Sequence, residues 1–224
     1  MTPRERASRR AAKSAAAQLE TKLLPSQERA RSTFETILQV TGLLLGEVGV
    51  ERLSTNMICE RAGLTPPALY RWFPNKYAIL AELARRLSRA QLEAVEKRWR
   101  KRAGTPLKES VNEVADIMRE LDRVTRSQPG GVWIMRAMRA VPLLHDIRKT
   151  FRERLVAIVR DGLRVQGREA TDKELDIAAS LMVEAALAAN EMATEGDAED
   201  VDAIAEETGW MVALYADKRW GSPM

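Results

Sequence analysis

Few residues in this sequence could carry covalent chemistry. There is one cysteine, Cys59, and one histidine, His145. One of each excludes an internal disulfide and a Cys/His zinc site, and it leaves a thiol–imidazole pair to chance proximity. The 32 Asp and Glu residues fall into no motif that pairs a general acid with a base. We therefore expect no enzyme, no metal and no cofactor. Charge is better organised. Residues 1–104 hold 20 Lys and Arg against 10 Asp and Glu, a charge of +10, whereas residues 105–224 hold 16 against 22, a charge of −6. A basic half attracts a polyanionic partner. The excess begins at once, with Arg4, Arg6, Arg9, Arg10 and Lys13, and a flexible arm of this kind either enters a minor groove or serves as an unstructured solubility tail.

The elements that must position these groups follow from periodicity. A chain of 224 residues with 45% hydrophobic and 30% charged residues is that of a globular protein of one or two domains. No apolar run approaches a membrane span and no secretory core is visible, so a cytoplasmic protein is expected. Residues 1–25 read as a basic flexible arm, stopped by Pro25. From there Phe34, Ile37, Leu38, Thr41, Leu45 and Val48 form one face of an amphipathic helix ending near Gly49. Ser54 caps a short helix through Ala62, and Gly63 leaves it in the left-handed conformation. Thr65 followed by Pro66 starts a third helix, which must stop at Phe73 before Pro74. Asn75 caps a fourth, with Ile79, Leu80, Leu83, Leu87 and Ala90 inward, continuing to about residue 103. The domain boundaries are thus 26–90 for the first folded domain and 105–224 for the second, and the fold class is all-α.

Helix, tight glycine turn and helix over Ser54–Phe73 make a helix-turn-helix, whose second helix can lie in a major groove. Leu69 and Phe73 would seat that helix on the core and leave Thr65, Pro66, Ala68, Tyr70, Arg71 and Trp72 outward. The run from Ala62 to Leu80, Ala-Gly-Leu-Thr-Pro-Pro-Ala-Leu-Tyr-Arg-Trp-Phe-Pro-Asn-Lys-Tyr-Ala-Ile-Leu, resembles the DNA-binding segment of the TetR family of bacterial repressors over roughly residues 30–85. The resemblance implies phosphate contacts at Thr55, Tyr70 and Lys76 and base-facing positions at Asn56, Pro66, Ala68 and Trp72. Ser54, Thr65, Pro67 and Arg71 complete the expected DNA-facing set. It also implies a homodimer on a palindromic double-stranded operator, acting as a repressor that a small-molecule effector releases. The competing reading is a nucleic-acid or protein interaction module without sequence specificity.

Beyond Gly104 only helical periodicity recurs. Leu107, Val111, Val114, Met118 and Leu121 mark one helix, and Val132 to Val141 a short one before Pro142. A longer helix carries Ile147 through Leu163. Thr171 with Glu174 forms a capping box for an Ala-rich helix, and Asp197 or Asp200 starts the last. Met118, Trp133, Met138, His145, Phe151 and Met182 are the candidate effector contacts. Ala185 and Ala189, with the stripe Val201, Ile204, Thr208, Met211 and Tyr215, are the candidate dimer seam. Cys59 reads as a packed thiol.

Overall fold

The computed structural model describes residues 19–21, 28–99, 106–165, 170–195 and 200–220. The described residues are helical and contain no strand. In chain order the helices are α1 (Glu28–Arg52), α2 (Thr55–Ala62), α3 (Pro66–Tyr70), α4 (Lys76–Trp99), α5 (Leu107–Ser127), α6 (Gly131–Ala140), α7 (His145–Val165), α8 (Asp172–Glu195) and α9 (Asp200–Trp220), with a 3-10 turn at Pro142–Leu144. Among them none is long and apolar enough to cross a membrane.

Packing divides the chain into two units, Met1–Leu87 with Gln128–Arg148, and Ser88–Ser127 with Lys149–Met224. In the first, the predicted face of α1 is the core: Phe34, Ile37, Leu38, Thr41 and Leu45 are all buried. Thr41 is tolerated there because its hydroxyl donates to the Ile37 carbonyl at 2.7 Å. Helical dihedrals break at Gly49 (φ 74°, ψ 170°), where the sequence places the helix end. Sequence reading assigned residues 128–148 to the second domain, but they pack with the first. The reason is a backbone approach: a Cβ on Gly42 would overlap the Pro129 carbonyl, and one on Gly130 (φ 68°) would overlap the carbonyl of Gly42. α6 therefore lies close on α1, with Trp133 over Gly46. The composition boundary at Gly104 falls in residues 100–105, outside the described residues. Of the expected basic arm only residues 19–21 are described; there Leu19 is buried, and its carbonyl accepts both terminal nitrogens of Arg85 at 3.4 and 3.5 Å.

The second unit is built on the apolar faces of α5, α7, α8 and α9. Leu92, Val95, Met118, Leu121, Leu155, Val159 and Met182 belong to one buried cluster. α9 runs along α5, and Gly209 lets it come close to the Val111 carbonyl. α7 and α8 are held antiparallel by ion pairs that keep register: Arg152, Arg160 and Arg164 meet Glu184, Asp176 and Asp172 in descending order. Each such exposed pair contributes little alone. The capping box forms as expected, with Thr171 N–H donating to Glu174 (3.0 Å) and Glu174 N–H to the Thr171 hydroxyl (3.3 Å). The Thr171 N–H, and its hydroxyl donating at 2.9 Å, hold the Glu174 carboxyl below its usual range.

Two glycines of α1 separate by this geometry. Gly42→Ala should cost about 1–3 kcal/mol in chemical denaturation, because the added methyl meets backbone that cannot yield. Gly46→Ala meets only the Trp133 side chain at 3.4 Å and should gain up to about 1 kcal/mol from helix propensity. Equal effects would contradict the close α1–α6 approach.

Candidate nucleic-acid interface

The turn between α2 and α3 is closed by local chemistry. Ser54 stands extended (φ −134°, ψ 155°) and its Oγ accepts from Met57 N–H at 3.2 Å. Gly63 takes the left-handed conformation (φ 64°, ψ 32°), and the N–H groups of Gly63 and Leu64 return to the carbonyls of Glu60 and Cys59. Thr65 occupies the N-cap of α3 without a side-chain capping bond, and Pro66 is the first helical residue. The buried residues of this segment are Leu53, Ile58, Cys59, Leu69, Trp72 and Phe73. Burial pushes the Cys59 thiol up in pKa, away from reactive thiolate.

The outward surface consists of Asn56, Thr65, Pro66, Pro67, Tyr70 and Arg71, all exposed, with Ser54, Thr55 and Ala68 half-buried at its edge. Thr55 Oγ1 and the Tyr70 hydroxyl share a hydrogen bond at 3.0 Å, which fixes two candidate phosphate contacts relative to each other. Two expectations are corrected. α3 ends at Tyr70 rather than Phe73: Trp72 N–H turns back to the Leu69 carbonyl and Phe73 N–H also bonds there. Because the chain curls inward, Trp72, expected outward, is only 5% exposed. Its ring meets Phe34 edge-on (6.0 Å, 88°), beside the stacked Phe34–Phe73 pair (4.8 Å). Trp72 is thus part of the hydrophobic seat of α3.

Lys76 also has work inside the unit. Its Nζ donates to the carbonyls of Val50 (2.9 Å), Glu51 (3.3 Å) and Leu53 (2.8 Å), using the three ammonium protons on the chain that leaves α1 after its break. Asn75 Oδ1 caps α4 through Ala78 N–H at 3.0 Å. Two other cations have carboxylate partners. Arg61 grips Glu47 at 2.9 Å through both terminal nitrogens, and Arg86 binds Glu35 (2.6 and 2.8 Å) and Glu82 (2.9 Å). The guanidinium beside each holds the Glu35 and Glu47 carboxyls below their usual range.

Residues 37–83 match the sequence profile of bacterial regulatory proteins, tetR family. Over that segment the chain is similar to the TetR family. It is 47% identical over 49 residues to the tetracycline repressor protein class A from transposon 1721 of Escherichia coli, covering 22% of this chain and 23% of that protein. To the nucleoid occlusion factor SlmA of Haemophilus ducreyi it is 29% identical over 106 residues, 46% of this chain and 51% of the relative. The matches thus span about a quarter and about half of these relatives. Solved structures extend the likeness of fold over most of the chain. SmeT, the repressor of the Stenotrophomonas maltophilia multidrug efflux pump SmeDEF, gives a TM-score of 0.62 at 21% identity, covering 86% of this chain and 92% of SmeT. A transcriptional regulator from Rhodococcus sp. Rha1 gives 0.66 at 17% identity, covering 85% and 99%.

The second unit holds an apolar cavity of about 60 Å³, lined by Val95, Trp99, Met118, Leu155, Met182 and Leu187 among others. Of the candidate effector contacts, Met118 and Met182 line it together. Phe151 lies in the core cluster of the same unit. Trp133, Met138 and His145 belong to the first unit, where Trp133 is partly exposed under the Arg136 guanidinium (4.8 Å), Met138 is buried and His145 is exposed. Sequence reasoning missed Trp99, which sits in the basic run Lys97–Arg102 and reads as part of a solvated face.

On the candidate dimer seam, Met211 and Tyr215 are exposed, Ala185, Ala189, Val201 and Ile204 are half-buried, and Thr208 is buried with its hydroxyl on the Ile204 carbonyl (2.6 Å). Ile177, Leu181 and Met192 of α8, which sequence reading passed over, are more exposed than the alanines.

Lys76→Ala should lower the stability of this protein by about 1.5–3 kcal/mol, the range for hydrogen bonds to a charged donor whose acceptors are left behind. A thermal or urea unfolding curve that does not move would mean that the ammonium is merely solvated.

Proposed function

We propose that this protein is a sequence-specific DNA-binding transcriptional repressor, a homodimer that grips a palindromic operator and is released by a small-molecule effector. The observation that carries the reading is the α2–α3 surface, where a short helix is seated on buried aromatics while Thr55 and Tyr70 present a linked pair of hydroxyls beside Arg71. Phosphate contacts set position and orientation, whereas base edges carry specificity. Thr55, Tyr70 and Arg71 take the first role, with Ser54 and Lys76 holding the elements in place. Asn56, Thr65, Pro66, Pro67 and Ala68 face the bases.

A palindrome needs a two-fold protein. The dimer forms through α8 and α9, whose outward apolar groups include Leu181 (58% exposed), Met192 (64%) and Met211 (50%), with Ile177, Trp210, Leu214 and Tyr215. Apolar exposure of that extent marks an interaction surface, and pairing two helices with their mates makes a four-helix seam. The apolar cavity of the second unit receives the effector. A similar protein is described as a SmeT–triclosan complex, which supports a small-molecule ligand. Release requires differential affinity: a ligand favouring the DNA-incompetent state tenfold weakens operator binding by at most about 1.4 kcal/mol.

Genomic fragments selected by the full chain should yield a palindromic site bound roughly 10³–10⁷ times tighter than random duplex at equal salt. Tyr70→Ala should weaken binding to both by similar factors, while changing Ala68 should relax preference at one or two positions per half-site. The absence of any gap between selected and random duplex would leave a non-specific binding module instead.

The dimer assignment has its own test. Leu181→Asp and Met211→Asp each bury an unpaired charge twice across an isologous seam, at several kcal/mol. Both should sediment as helical monomers that lose cooperative operator binding. Folded variants that remain dimers would move the interface elsewhere.

A further inference from the structure

The cavity of the second unit has a wall chemistry that narrows its ligand, an inference that rests on the effector reading above. Valine, leucine, isoleucine, methionine and alanine side chains line it. The remaining lining residue, Trp99, has its indole nitrogen over Gly162, where any Cβ would overlap it. Among the described residues no charged side chain and no hydroxyl or amide side chain reaches the wall. An ion entering would lose its hydration with no counter-charge to replace it, whereas an apolar molecule would lose nothing by leaving water.

Size adds a second condition. At about 60 Å³ the space is less than half the roughly 150 Å³ that admits benzene in a dry apolar cavity. The wall must therefore yield. Trp99 is hemmed in along its indole edge, where the Gly162 backbone leaves no room even for a Cβ. Met118 of α5 and Met182 of α8 are both buried at the wall, and unbranched thioether chains repack with little penalty. We infer that this cavity binds a neutral, compact hydrophobic molecule, with Trp99 on Gly162 as its fixed wall and Met118 and Met182 as its adjustable one.

Three probes of nearly one shape isolate charge: toluene, benzoate and benzylamine at pH 7, each titrated into the full-length protein without DNA. Ligand-observed NMR reports binding, and tryptophan fluorescence compared between wild type and Trp99→Phe reports place. Toluene should bind saturably and perturb Trp99 emission, and the two ions should bind on the order of 100-fold more weakly or not at all. Gly162→Ala, whose methyl must displace the indole from its place in the wall, should weaken toluene binding tenfold or more. Met182→Ala, which enlarges the space, should strengthen it, so an unfolded Gly162 variant does not remove the test. Benzoate or benzylamine binding as tightly as toluene, no saturable toluene binding, or toluene binding that neither cavity variant changes would each overturn the inference. Duplex anisotropy with toluene added is read separately. Saturable toluene binding at Trp99 without loss of duplex binding defeats the effector reading and leaves the ligand class standing. Duplex released only by a charged probe does the reverse.

Discussion

A helix of five residues has no stability of its own, since nucleation fixes several residues for a single hydrogen bond. α3 exists because Leu69, Trp72 and Phe73 are buried and the two aromatic rings meet Phe34 of α1. Everything outward on α3 inherits its position from that contact. The direction of Tyr70 follows from Leu69 beside it, and the Thr55–Tyr70 hydrogen bond ties α2 to the same frame. Lys76 then joins the start of α4 to the chain leaving α1 through three carbonyls. The surface proposed to face DNA is thus the exterior of an aromatic core, held on one side by a single buried phenyl ring and on the other by one ammonium group.

What could be read from sequence was what local chemistry decides. Ser54 as an N-cap, Gly63 as a left-handed C-cap, Pro66 at the first helical position, Asn75 before α4 and the Thr171–Glu174 capping box each depend on residues a few positions apart, and each is found. The first-helix stripe was equally plain, because a period of 3.6 is local as well. Trp72 escaped because its direction depends on where α3 stops, and that is set by a tertiary contact with Phe34. The grouping of residues 128–148 with the first unit rests on two glycines 88 positions apart in the chain, Gly42 and Gly130, and no pattern in either segment announces the other. Trp99 was hidden by its neighbours: a tryptophan among lysines and arginines reads as solvated until Gly162 is seen beneath it.

Charge was legible only in part. The +10 of residues 1–104 is spread unevenly: residues 28–99 carry 11 Lys and Arg against 8 Asp and Glu, a charge of +3, and the rest lies in residues 1–27 and 100–104. Within the helix-turn-helix unit, Arg61 and Arg86 are engaged by Glu47, Glu35 and Glu82. The field that would draw a polyanion to the folded α2–α3 surface is therefore weaker than the composition implies, and the segments flanking that unit hold most of the long-range attraction.

The chemistry of α3 decides how it can read a groove. A helix N-terminus ordinarily offers free N–H groups to phosphate. Here Pro66 and Pro67 have none, and the N–H groups of Ala68 and Leu69 both bond to the Thr65 carbonyl, so the start of α3 has no free backbone donor for a phosphate. Its leading side chains, Pro66, Pro67 and Ala68, bring no hydrogen-bond donor either. In the proposed complex, anchoring would come from side-chain hydroxyls and Arg71, and base discrimination from Asn56, Thr65 and close apolar contact. The thymine methyl is the one major-groove feature that an apolar side chain can select. In the proposed complex, an α3 of this composition is therefore suited to sites where thymine methyl groups carry as much information as hydrogen bonds do.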